Sequence, residues 1–433
     1  MVVRIDLHVI ILALTIFVMP IDWFLYGAQY LREFGSKPAS LVIIIFAAAS
    51  ILSKARLFAN KVLYVTLGAT TVLLATGILG YLLTEPAPSG LQGRSPDFQL
   101  YAQAALLLAS GLLTALLMNV LRQRRLDQRI LPALELAVTV HLLFFAAEFL
   151  WGSSILGSFY SLFRSGGILI ERPSGLMSEP SHFGTFAALF GTPLILGNHK
   201  RSCRPILVGY TALICAVVIS AKTTFVVLLF QAAFFFAFRM HRKLELKRWL
   251  PLLVLGLVCG SALLVKTSAL ETDINMSSAM RLGSSHLSLN VIRSEVGFFG
   301  IGLGQFHFYY RPEYAPGYLL ASSEAATQFA GLADFRASTF NLPLRILVET
   351  GIAGFSVFVA FIFYVASKTT EWTGNSNFLA SYVFAGSLGF LMTQDTYFYP
   401  PWIFAVALLG ASAPAKAGRG AAAMNFRGKP DYA

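Results

Sequence analysis

Residues 62–83 read VLYVTLGATTVLLATGILGYLL, 22 residues without a single charge. At a rise of about 1.5 Å per residue a helix of this length spans roughly 30 Å, the thickness of a bilayer's hydrocarbon core. Runs of the same character recur at about 8–26, 38–53, 98–121, 131–151, 181–197, 205–220, 223–238, 250–267, 342–366, 377–393 and 397–412. The pattern predicts an all-α, polytopic integral membrane protein with about 12 transmembrane helices. Across the 433 residues, 56% are hydrophobic and only 12% are charged, which argues against a soluble enzyme, a disordered chain or a coiled coil. The first run is long and lacks a small-residue cleavage site, so it reads as a membrane helix rather than a leader. The narrowest division falls at Ser220-Ala221-Lys222, which alone parts two short runs.

The formal charge of +12 is distributed by loop. With the N-terminus inside, alternate loops collect 21 of the 33 basic residues and six of the 21 acids, leaving net +15 on one side and −3 on the other. Lys and Arg concentrate in cytoplasmic loops, so the surplus is a topology signal and not a nucleic-acid footprint. Both termini are expected in the cytoplasm. Spans 1–9 occupy 1–267, with an external loop at 152–180. A large external loop covers 268–340, spans 10–12 lie in 341–412, and a short basic tail covers 413–433. Within the large loop, Met280, Leu282, Leu287, Leu289, Ile292 and Val296 have helical spacing, predicting a surface helix near 277–296. Cys203, Cys215 and Cys259 form no disulfide framework and read as packing residues.

The external loops carry the chemistry. In the first, Arg164, Glu171 and Arg172 precede Ser178-Glu179-Pro180-Ser181-His182 at the mouth of the sixth span. Pro180 marks a helix start, and Glu179 reads either as a first-turn acid or, with His182, as an acid–base group at a cavity rim. Lys222 is a cation where the topology rule disfavours one, which points to an anion beside it or to snorkelling. The large loop adds Arg281, His286, Arg293, Arg311, Glu324, Asp334 and Arg336. Arg345 and Glu349 lie four residues apart on the next span, as an intrahelical ion pair requires. Gly300-Ile301-Gly302-Leu303-Gly304 makes a flexible turn able to bring backbone N–H groups to a phosphate, but no strand precedes it and no Lys-Ser/Thr follows, so it is no nucleotide fingerprint. There is no HExxH, CxxC pair or Asp-rich cluster, and neither metal nor cofactor is expected. Clustered arginines with a few carboxylates above an apolar body suit a substrate with an anionic head and a greasy tail, such as a lipid diphosphate sugar.

Three stretches then resemble the Wzy-type O-antigen and exopolysaccharide polymerases and the related O-antigen ligases. They are RPSGLMSEPSHFGTFAALF (Arg172–Phe190), MRLGSSHLSLNVIRSEVGFFGIGLGQF (Met280–Phe306) and STFNLPLRILVETGIAGF (Ser338–Phe355). Their order matches the family, as does one large external loop between spans 9 and 10. Arg164 to Gly175 and Arg293 to Gly304 both keep the family's Arg-x10-Gly spacing. The resemblance implies a GT-C-like membrane glycosyltransferase that polymerises undecaprenyl-diphosphate-linked repeat units at the periplasmic face of the bacterial inner membrane. The base does not carry over from the family; the residues themselves put Arg281, Lys222 and Arg172 forward for the substrate diphosphate, Glu179 as first and His182 as second candidate base, and Arg164, Arg293, Arg336 and Asn341 as acceptor or loop contacts. The implied partners are lipid-linked glycan donor and acceptor, membrane lipids and a chain-length regulator protein. The chain departs from the ligases in having Phe340 where they place His before Asn341, and from many members in having Lys222 where Arg is usual. An O-antigen ligase, a lipid-linked oligosaccharide transporter and a structural membrane component remain as alternatives.

Overall fold

A computed structural model describes residues 7–21, 38–39, 41–45, 60–84, 95–123, 129–151, 176–177, 180–196, 203–218, 222–240, 276–309, 338–371 and 375–412. Its helices are α1 (Leu7–Val18), α2 (Lys61–Leu83), α3 (Pro96–Gln123), α4 (Ile130–Trp151), α5 (Pro180–Leu196), α6 (Arg204–Val218), α7 (Lys222–Met240), α8 (Met276–Ser294), α9 (Leu342–Glu371), α10 (Asn375–Leu391) and α11 (Pro400–Ala411). No strand occurs among the described residues. Four stretches, 61–83, 96–122, 130–151 and 342–369, are long and apolar enough to cross a membrane, and five shorter apolar helices accompany them. Two helices occupy the narrowly divided region at 204–240, and α8 stands where the surface helix is expected. The run at 250–267 and most of that at 38–53 lie outside the described residues.

Local chemistry sets several helix ends. Asn60 is extended and its side chain accepts from Leu63 N at 2.7 Å, capping α2. The same amide donates to the Gly410 carbonyl at 3.1 Å, so the start of α2 is tied to the end of α11. Pro400 and Pro401 open α11, where missing N–H groups cost nothing.

The helices pack as two neighbouring groups. One holds α2, α3, α9 and α11; the other holds α5, α6, α7 and α10, with α1 and α4 against its flank and α10 bridging to α11. Lipid tails are as apolar as the helices, so association depends on close approach and internal hydrogen bonds. Both are present. A Cβ on Gly209 would sit 2.7 Å from the Gly191 carbonyl oxygen, so α5 and α6 cross with backbones nearly in contact. Deeper in the same group, the buried Gln231 of α7 accepts from Thr192 Oγ1 at 3.0 Å and donates to the carbonyls of Leu189 (3.4 Å) and Tyr382 (3.3 Å). One amide thereby ties α5, α7 and α10 together. On the flank, the fully buried His141 of α4 pairs its Nε2 with the Phe17 carbonyl at 2.7 Å and stacks on the Phe17 ring.

Large apolar side chains face outward, among them Leu82, Leu83, Tyr101, Leu143, Phe149 and Leu207, each more than 60% exposed. Such a belt is stable in lipid and unfavourable in water. The chain is a helical, membrane-embedded protein. The face of α8 turned to the protein is formed by Leu282, Ser284, Leu287, Ser288 and Val291, while Leu289 is exposed. One expectation needs correction. Cys203 is an exposed thiol just before α6 and not a packing residue, while Cys215 is half-buried against the core.

Gly209→Leu should force α5 and α6 apart. Overpacking of this kind costs about 1–3 kcal/mol, read as a lower melting temperature of the detergent-solubilised protein. An unchanged melting temperature would show that the crossing does not depend on the glycine contact.

Candidate functional site

At one end of the bundle the start of α9 meets the connection between α10 and α11, the start of α5 lies beside the end of α10, and the end of α2 and the start of α3 hold the segment 300–305. This is the end expected to face outward. Its best-defined element is the start of α9. Asn341 caps that helix, with Oδ1 accepting from Leu344 N at 3.0 Å and Nδ2 donating to the Met392 carbonyl at 3.3 Å. Thr339 just before it donates from both its N–H (2.9 Å) and its hydroxyl (3.2 Å) to Asp395 Oδ2. The start of α9 is thus pinned to the 392–399 connection between α10 and α11.

One turn inward, Arg345 lies between two acids. Its Nε donates to Glu349 Oε1 at 3.1 Å, its Nη1 donates to the Asp395 carbonyl at 2.7 Å, and the Asp395 carboxylate is 3.9 Å away. Tyr397 donates its hydroxyl to Glu349 Oε2 at 2.7 Å and stacks its ring under the guanidinium, 4.6 Å from Cζ. The Glu349 side chain is 1% exposed, and those of Arg345 and Asp395 are 15% and 16%. The expected i,i+4 pair is present, and it forms the centre of a larger network. The one cation of the network is already engaged by carboxylate and carbonyl oxygens.

Just below it α9 is broken. Gly351 takes φ 65° and ψ −168°, outside helical geometry. Residues 298–302 fill the break: Ile301 N donates to the Val348 carbonyl (3.0 Å), Gly302 N to the Glu349 carbonyl (3.0 Å), and Ala353 N to the Phe298 carbonyl (3.2 Å). Gly300, Gly302 and Gly304 all have positive φ, which favours glycine. Crowding reinforces the choice, because a Cβ on Gly302 would fall 2.8 Å from Tyr81 Cα and one on Gly304 2.8 Å from the Gln99 carbonyl oxygen. Thr84 Oγ1 donates to the Gly300 carbonyl at 3.1 Å, and Gln305 Nε2 to the Pro96 carbonyl at 3.0 Å. The glycine turn is therefore a wedge among α2, α3 and α9. The N–H groups of Ile301 and Gly302 already have carbonyl partners, so in this arrangement they do not offer a phosphate cradle.

The sequence-derived candidates fall in different places. Glu179, Arg172, Arg164 and Arg336 lie outside the described residues. His182 stands in the first turn of α5, half-buried, with its ring 6.0 Å from that of Phe390, which stacks at 4.6 Å on Tyr399. Lys222 opens α7, the helix that packs closely on α10. Arg281 is half-buried near the start of α8, which rests against α9, and Arg293 is exposed in the last turn of α8. Asn341 is 5% exposed, and its amide makes one capping bond and one docking bond. Asp395 and Tyr397, which no spacing rule connects to Arg345, belong to the same network. A tyrosine pair beside two prolines in Tyr397-Phe398-Tyr399-Pro400-Pro401 was the available signal. Comparison of the chain with protein-family models and with curated proteins yields no match.

Glu349→Ala would leave Arg345 short of a counter-charge and the Tyr397 hydroxyl without its acceptor. Breaking a buried pair from one side typically costs about 3–5 kcal/mol. The Arg345→Met/Glu349→Met double variant should recover much of that loss, and a thermal-melt double-mutant cycle measures the coupling. Equal melting temperatures for Glu349→Ala and the parent would remove the network from the fold's supports.

Proposed function

We propose that this chain is a membrane glycosyltransferase of the O-antigen polymerase kind, joining lipid-diphosphate-linked oligosaccharide repeat units on the outer side of the bacterial inner membrane. The observation that carries the reading is the junction at Gly351. Two of the three stretches that resemble the family, Met280–Phe306 and Ser338–Phe355, are held together there by backbone hydrogen bonds. The third, Arg172–Phe190, reaches the same end of the bundle through the His182–Phe390–Tyr399 rings. A cytoplasmic location for both termini and a GT-C-like arrangement of about 12 spans belong to the same proposal.

In this reading a sugar hydroxyl of the incoming repeat unit attacks the anomeric carbon of the growing chain. The bond from that carbon to the lipid diphosphate breaks, the diphosphate leaves with the bonding electrons, and a base takes the hydroxyl proton. Arg281, Lys222 and Arg172 stabilise the departing charge. Glu179 is the first candidate for base and His182 the second. Arg164, Arg293, Arg336 and Asn341 contact the acceptor or the loops. The donor's own diphosphate bond supplies the driving force, so neither nucleotide sugar nor metal takes part. The network around Arg345 fixes the start of α9, the helix on which α8 and its Arg281 rest.

The test is product analysis in liposomes with lipid-diphosphate repeat units, no nucleotide sugars and chelated divalent metals. A ladder of added repeats is expected. Transfer to a second lipid acceptor without a ladder would mean a ligase, and movement of lipid between leaflets without a new linkage would mean a transporter. Arg281→Ala should abolish long chains while leaving membrane insertion intact; normal chain lengths would remove Arg281 from the site. Glu179→Gln should be inactive at normal expression, and full activity would return Glu179 to a helix-capping role.

A further inference from the structure

The end of α8 carries a cleft of about 270 Å³. Leu287 and Val291 form its floor, Tyr309 one wall, and Asn290, Arg293 and Glu295 its rim. The floor and the tyrosine are buried, while Arg293 and Glu295 are exposed. The helix closes there in a widened turn, with the N–H groups of Glu295 (2.9 Å) and Val296 (3.2 Å) both directed to the Val291 carbonyl. Ser294 Oγ donates back to the Asn290 carbonyl at 3.1 Å. These bonds satisfy backbone groups and leave the rim side chains out. Among the described residues, the Asn290 amide, the Arg293 guanidinium and the Glu295 carboxylate have no hydrogen-bond or ion-pair partner. Arg293 and Glu295, opposite in charge and two residues apart on one rim, do not pair with each other.

We propose that this cleft binds a neutral sugar residue. The rim contains a fixed donor, a fixed acceptor and an amide that does both. An anion would meet Glu295, and a cation would meet Arg293. A neutral polyol suits both, because its hydroxyl oxygens accept from the guanidinium while its hydroxyl hydrogens point to the carboxylate. The apolar floor of Leu287 and Val291 matches the C–H face of a pyranose ring. At just under the roughly 300 Å³ lower bound of drug-sized pockets, the volume suits a sugar ring rather than a whole repeat unit. Asn290, Glu295 and Tyr309 thereby join Arg293 as glycan contacts, set apart from the cationic groups assigned to the diphosphate. The identity of the sugar as part of a lipid-linked glycan rests on the function proposed above; the binding itself does not.

The experiment uses the full chain in lipid nanodiscs and saturation-transfer NMR. The probes are the methyl glycosides of glucose, galactose, rhamnose and N-acetylglucosamine, with inorganic phosphate as competitor. Transfer to at least one glycoside is expected, undiminished by phosphate and weakened at least tenfold in both Glu295→Gln and Asn290→Ala, each melting as the parent does. Absence of transfer to every glycoside, displacement by phosphate, or binding as tight as the parent's in either variant would overturn the proposal. Sugar binding without chain elongation in liposomes would leave the cleft standing and sink the polymerase. Elongation with an unchanged KM for the lipid-linked acceptor in both variants would do the reverse.

Discussion

A backbone that crosses lipid has no water to satisfy its polar groups, and a broken helix must find partners inside the protein. The break in α9 at Gly351 imposes that requirement, and the rest of the loop end is arranged around it. The carbonyls of Val348 and Glu349 accept from Ile301 and Gly302, and Ala353 turns its N–H to the Phe298 carbonyl. For the segment 298–304 to reach so far in, its glycines must lie against the backbones of α2 and α3 with no side chains between. Packing, backbone satisfaction and glycine placement are one constraint expressed three times.

The network around Arg345 complements that wedge from the other side. Asn341 and Thr339 hold the first turn of α9 to the connection before α11, and Arg345, Glu349 and Tyr397 hold the second. The segment of α9 before its break is therefore fixed at both ends, by side chains above and by the glycine wedge below. A helix held this way is a rigid base for α8, which packs on it and carries Arg281 and Arg293. Discontinuous helices in membrane proteins often border a binding site, because their exposed backbone groups face a cavity. Here the described groups at the break are turned to the protein itself, and the polar cleft sits at the far end of α8.

Much of this was legible in the sequence, for physical reasons. Uninterrupted apolar runs such as 62–83 have few alternatives to a buried or membrane-embedded helix, and α2 follows that run within a residue. The Arg345–Glu349 pair followed from helical spacing alone. The partners that complete it, Asp395 and Tyr397, were not legible, because they arrive from another helix connection and no periodicity relates them. The glycine turn was visible as a turn but not as a wedge. A run of glycines signals close approach without saying to what, and the answer depended on α2 and α3, some 200 residues earlier. Asn341 was conspicuous in its motif, but its bond to the Met392 carbonyl was not legible, because that partner lies on another helix connection. The free rim of the cleft was equally hidden. Sequence placed Arg293 near the end of a helix, and it did not indicate that Glu295 would stand beside it unpaired.

The wedge also imposes an order on biogenesis. Its contacts join residues 80–84 and 96–103 to 298–305, and those in turn to 348–353. Ribosomes deliver these segments in sequence, so α2 and α3 enter the membrane with one face still lacking its final neighbour. That face stays open until the chain beyond residue 353 has emerged, when more than three quarters of the protein has been made. Until then the pair must be tolerated by lipid or shielded by an insertion factor, as other late-closing chains are by chaperones. A chain that stops short of Gly351 lacks the counterpart that seats the glycine turn, whatever its upstream helices have achieved.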